Sequence, residues 1–149
     1  MEKINVPTIH EEGVDGARSQ CMRRASTMYL MLKEAQKAGA QGVEWAEKAL
    51  WQYGVDRGQA LRKRIKDPEN MIEFGKVWGR GFDAKVFEME IIQSDDQTHY
   101  VDFHYCPYVE EWERMGLSRE EMEYMCKLAM VGDHAVGEQF QTIDFTLGK

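Results

Sequence analysis

Cysteine and proline are scarce in this chain, three of each in 149 residues, and basic side chains are outnumbered by acidic ones, 19 to 26. Cys21, Cys106 and Cys126 are too few and too far apart for a disulfide framework or a zinc ribbon, so free thiols in a reducing cytoplasm are expected. A formal charge of -7 argues against a nucleic-acid footprint or an anionic membrane surface as partner, since both demand clustered Lys and Arg. Arg62-Lys63-Arg64 with Lys66, the one basic run, suits the negative end of a helix. No apolar run approaches the roughly 18 residues that span a bilayer, and no secretion signal opens the chain. No internal repeat or low-complexity segment is present, and the length fits a single domain over residues 1–149 with its own core.

Periodicity supplies the elements. Val14, Ala17, Cys21, Ala25, Met28, Leu32 and Ala35 recur at spacings of three and four, which predicts a long amphipathic helix over 12–38. Gly39 is a stop, and Val43, Ala46, Leu50, Tyr53, Gly54, Leu61 and Ile65 continue as a second helix, making a helical hairpin. Asp67-Pro68 reads as the cap and first residue of a short third helix through Trp78. Alternation predicts a strand over 84–93, a turn at Ser94-Asp95-Asp96-Gln97 and an antiparallel strand over 100–106. Pro107 to Met115 forms a short helix, and Ser118 with Glu121 spells a capping box for a last helix whose stripe is Met122, Cys126, Ala129, Val136 and Phe140. Thr142 to Leu147 alternates again and predicts a third strand. The fold class is α+β, a helical hairpin and further helices packed on one face of a small antiparallel sheet.

Cys106 stands where strand gives way to helix. In a strand, Asp102, His104 and Cys106 share one face, so an acid, an imidazole and a thiol stand in a row. With Pro107 as the first helical residue, Cys106 becomes the N-cap, where free backbone N–H groups and the helix dipole favour a thiolate. Cys21 and Cys126 lie on apolar stripes and read as buried structural cysteines. His99, His104 and Cys106 match no zinc signature, so no metal is expected.

Three further residues break the pattern. Asp133 continues the stripe of the last helix where an apolar residue belongs, so its carboxylate is either capped, paired or used. Arg57 sits on the second helix between Gly54 and Gly58, and its anion is either a substrate carboxylate or an internal acid such as Asp133. Glu110 lies one turn beyond Cys106, and His134 is the neighbour of Asp133 off the stripe.

The segment Asp102-Phe-His-Tyr-Cys-Pro-Tyr-Val-Glu-Glu-Trp-Glu-Arg-Met-Gly-Leu-Ser118, followed by Cys126-Lys-Leu-Ala-Met-Val-Gly-Asp-His134, resembles the L-2-amino-thiazoline-4-carboxylic acid hydrolase family, as does Ala49-Leu-Trp-Gln-Tyr-Gly-Val-Asp-Arg-Gly58. The resemblance implies an α+β protein that opens a cyclic amidine at a carbon–nitrogen bond, with a cysteine at the position of Cys106. Family chains usually continue into a Gly-Asp-x-x-Cys-Asp-Phe-Arg-like segment, which has no counterpart before Lys149.

The expected activity is hydrolysis of a small C–N heterocycle without cofactor. Cys106 would attack the ring carbon, His104 would act as base and then acid, and Asp102 or Asp133 would orient the imidazole. Arg57 would hold a substrate carboxylate, with Glu110 and His134 nearby. Two other classes compete: a non-catalytic small-molecule binding or sensor domain, and an interaction module whose sheet edge takes a partner strand or a second copy of the chain.

Overall fold

The computed structural model describes residues 5–147. Six helices and a two-stranded antiparallel sheet follow one another as α1 (Glu12–Lys37), α2 (Ala40–Arg62), α3 (Met71–Gly75), α4 (Phe82–Val86), β1 (Met89–Ser94), β2 (His99–Phe103), α5 (Pro107–Arg114) and α6 (Arg119–Gly137). The architecture is α+β, as the periodicities predict. No helix is long and apolar enough to cross a membrane among the described residues.

The hairpin forms where expected. Gly39, at φ +74°, turns α1 into α2, and the missing side chain of Gly42 lets α2 start against the Ala35 carbonyl, 2.0 Å from where a Cβ would stand. α2 then runs along α6, and α1 packs on α5. Gly54 makes the first of these contacts possible, because a Cβ there would fall 2.1 Å from the Gly132 carbonyl oxygen. The small residues around Arg57 therefore admit a neighbouring helix. One core gathers Ala25, Leu32, Trp112, Leu117, Met125 and Leu128, and a second gathers Ile65, Phe74, Val136 and Phe140.

Several boundaries differ from the sequence reading. The third helix is capped by Asn70, whose Oδ1 accepts from the Glu73 N–H at 3.1 Å, while Asp67 closes only a local turn with the Glu69 N–H. Residues 84–86 belong to α4, and the strand expected from Ala84 begins at Met89. The switch lies at Glu88, a non-glycine residue at φ +48° that redirects the chain and breaks the alternation. The buried stripe of α6 is Met125, Leu128, Gly132, Ala135 and Val136, while Met122, Cys126 and Ala129 are half-buried beside it. The third strand is absent: residues 142–147 are irregular. Their alternating side chains pack on helices, Ile143 against the second core and Phe145 edge-on to Trp78 at 5.8 Å. Thr142 is tied to Glu69, so the segment is held without a sheet partner.

Candidate active site

Cys106 occupies the N-cap of α5, in extended backbone at φ -133° and ψ 112°, with Pro107 as the first helical residue. Its side chain makes no N-cap hydrogen bond, and the backbone N–H groups of Tyr108 and Val109 act on the thiol from the start of the helix. The dipole argument expects a thiolate, but burial pushes the Cys106 thiol above its ordinary value. The two N–H groups work in the other direction and are outweighed. Cys126 and Cys21 lie close enough to raise it further, so the three cysteines share one region of the fold.

Among the described residues, neither Asp102 nor His104 hydrogen-bonds Cys106. β2 ends at Phe103, and the next two N–H groups, of His104 and Tyr105, bond to the carbonyls of Glu88 and Phe87 around the left-handed corner. Tyr105 turns inward, while His104 turns outward and its Nε2 meets Glu90 Oε2 at 2.7 Å. Asp102 is exposed, and its Oδ1 accepts from the Phe103 N–H. Glu110 accepts a short hydrogen bond from the Tyr105 hydroxyl. His99 bonds Ser94 Oγ and the Trp78 carbonyl. No cluster of His, Cys, Asp and Glu suited to a metal is present among the described residues.

A second set of residues does converge, from four helices. On α1, Arg24 donates from Nη1 to the Tyr53 hydroxyl at 2.8 Å and lies 4.2 Å over the Tyr53 ring. On α2, Arg57 stands 5.9 Å from the same ring. On α5, burial pushes the Tyr108 hydroxyl up to about 12, with Arg24 acting against it and Cys21, Tyr53 and Cys106 acting with it. On α6, Asp133 is withdrawn from solvent, which raises its carboxyl above the usual range, and Arg57, His134 and Arg24 pull it back. Neither Arg24 nor Arg57 has a carboxylate ion-pair partner among the described residues. His134 is exposed and lies edge-on to Phe145 at 6.5 Å.

The seam thus runs from Cys106 through Tyr108, Cys21, Arg24 and Tyr53 to Arg57 and Asp133. Arg24, Tyr53 and Tyr108 carry none of the roles assigned from sequence. Cys21 with Arg24 and Tyr53 with Arg57 are one helical turn apart, spacings that could have signalled two polar pairs on facing helices.

Residues 19–149 match the family described as L-2-amino-thiazoline-4-carboxylic acid hydrolase. The chain belongs to that family. The match takes in every residue of the seam and leaves out the arm before α1. No curated protein and no solved structure matches the chain. The family name is that of a hydrolase acting on a small thiazoline carboxylate.

A cleft of about 570 Å³ lies elsewhere, between Val6, Thr8 and Ile9 of the arm and Ala84, Lys85, Glu88, Met89 and His104. A smaller one, about 270 Å³, separates α1 from α6 around Tyr29, Leu32 and Tyr124. Cys106 lines neither.

Proposed function

We propose that this protein is a hydrolase that opens a small, carboxylate-bearing heterocycle at a non-peptide C–N bond, with Cys106 as nucleophile. The observation that carries this reading is Cys106 at the N-cap of α5, in extended backbone with Pro107 as the first helical residue, in a chain of this family. A thiol protonated at rest suits a cyclic amidine, because the ring nitrogen is itself a strong base. The sulfur attacks the amidine carbon, its proton passes to the ring nitrogen, and that carbon–nitrogen bond breaks with the nitrogen leaving as an amine. Water then attacks the thioimidate carbon and the thiol is restored. The α5 N–H groups lie where they stabilise negative charge on sulfur. Arg24 and Arg57, neither with a carboxylate partner among the described residues, supply the donors for the substrate carboxylate. Asp133, a half-buried carboxyl raised by desolvation, is assigned the proton transfers of the water step. Asp102 and His104 take no part in this reading, since one is bonded to its own strand and the other to Glu90.

The decisive experiment is incubation with 2-amino-thiazoline-4-carboxylate, following ring loss by absorbance and the protein by intact mass. Wild type consumes the ring and Cys106→Ser does not. Equal turnover by the two proteins refutes the nucleophile.

A non-catalytic binding domain is the second reading, favoured by the raised thiol. It requires saturable binding of the same carboxylate with no ring opening over hours.

A further inference from the structure

The arm before α1 lies outside the family match, yet its residues 5, 8 and 9 are hydrogen-bonded to the body of the fold. Glu88 accepts from the Thr8 N–H at 2.6 Å, the Thr8 hydroxyl at 2.7 Å and the Ile9 N–H at 2.9 Å. Arg18 Nη1 donates to the Ile9 carbonyl. Residues 8 and 9 are thereby fixed to the buried Arg18–Glu88 pair.

With its far end anchored, the arm delivers Asn5 to Cys106. Asn5 Nδ2 donates to the Cys106 carbonyl at 2.9 Å, and the Cys106 N–H donates to Asn5 Oδ1 at 2.7 Å. A side-chain amide presents one donor and one acceptor side by side, so the pair copies a strand edge and holds both polar groups of one residue. That residue is the N-cap, and its backbone torsions decide where the sulfur sits relative to the Tyr108 and Val109 N–H groups. The Cys106 carbonyl also accepts the Glu110 N–H, the first turn of α5, so Asn5 braces the start of the helix itself.

We propose that Asn5 is a positioning residue for Cys106, its side-chain amide clamping the Cys106 backbone so that the sulfur stays under the α5 N–H groups. The proposal builds on the nucleophile reading but is tested without the hydrolysis reaction. Its readout is the pH profile of Cys106 carboxamidomethylation by iodoacetamide, resolved from Cys21 and Cys126 by peptide mass spectrometry. The titratable groups bearing on this thiol are Cys21 from α1, Cys126 from α6, and Tyr105 and Tyr108 beside it.

Asn5→Leu keeps the size and removes both hydrogen bonds. The Cys106 profile is expected to move to higher pH by half a unit or more, about a threefold slower reaction at fixed pH. Asn5→Gln, which retains the amide, moves it less. Thr8→Val, which removes only the hydroxyl bond to Glu88 and keeps the two backbone N–H bonds that anchor the arm, does not move it. An unmoved or downward-shifted profile in Asn5→Leu overturns the proposal, as does a shift in Thr8→Val equal to that of Asn5→Leu. Wild type that fails to open any ring refutes the hydrolase and leaves this comparison intact.

Discussion

Arg18 Nη2 and Glu88 Oε1 meet at 2.9 Å with 4% and 7% of their side-chain surface exposed. The guanidinium uses every nitrogen: Nε on the Val86 carbonyl, Nη2 also on Lys85 and Nη1 on Ile9, with its carbon 4.6 Å over the Tyr105 ring. A buried pair of this kind adds modestly to stability while whole, and removing one partner strands the other charge.

Glu88→Gln is therefore expected to cost about 3–5 kcal/mol, read by urea unfolding at neutral pH. The loss is pH-dependent. Burial pushes the Glu88 carboxyl up, but the hydrogen bonds from Ile9, Thr8 and Arg18 together hold it below its ordinary 4.5. Its contribution is full above that value and fades as pH falls through the lower folded-state value. The gap between wild type and Glu88→Gln should close in acid, and a constant gap from neutrality down to strong acid would contradict this account.

Two glycine-to-alanine changes should move stability in opposite directions. Gly16 is exposed on α1 with nothing within 4 Å of an added Cβ, so Gly16→Ala gains up to about 1 kcal/mol of helix propensity. Gly54→Ala has the same propensity gain but drives a Cβ into the Gly132 carbonyl and, at 2.7 Å, the Ala135 methyl. Overpacking against backbone costs about 3 kcal/mol, leaving a net loss of about 2 kcal/mol. Thermal melts of the two variants decide it, and a Gly54→Ala melt at or above wild type would show that the α2–α6 seam yields.

Asp133 separates stability from activity. Its folded-state carboxyl lies above the ordinary value, first through burial, so its stabilising contribution is present below 3.8 and is lost as pH rises through the folded value. Asp133→Asn should be as stable as wild type or more so at neutral pH, with a flatter dependence of Tm on pH through that window. Turnover should fall at least a hundredfold if Asp133 moves protons in the water step. A variant that loses stability at neutral pH while retaining turnover would reverse both assignments.

The two guanidiniums make a separable prediction about specificity. Arg24→Gln is expected to raise KM for a carboxylate heterocycle about tenfold, the loss of one charge-assisted hydrogen bond, and to leave the methyl ester almost unaffected. An equal loss on acid and ester would show that Arg24 supports Tyr53 and the seam instead.

Local chemistry was legible in the sequence wherever one segment decides its own structure. The Gly39 turn, the Ser118–Glu121 box, the antiparallel pair and the N-cap position of Cys106 all appear where the residues place them. Features set by distant partners were not. Nothing near Arg18 announces that its acid lies 70 positions away, and beside the Val14–Ala25 stripe it reads as an ordinary helix arginine. Nothing near Glu88 announces its left-handed backbone, and the alternation that runs from Ala84 becomes a strand only past that corner, at Met89. The segment 142–147 has the alternation of a strand, but its side chains are spent on Trp78, His134 and the second core. For the candidate site, Cys106, Arg57 and Asp133 were identifiable from their residue types. Arg24, Tyr53 and Tyr108 emerge only once four helices are assembled.

The indole of Trp112 is 1% exposed and donates from Nε1 to the Ala25 carbonyl of α1, whereas Trp45 and Trp51 on α2 are 58% and 42% exposed. The protein therefore carries a built-in optical gauge of whether α5 is docked. With half-buried Trp78 replaced by Phe, iodide should quench the α2 emission and spare a blue-shifted component from Trp112, and that component should redden as soon as the helix bearing Cys106 lifts from α1.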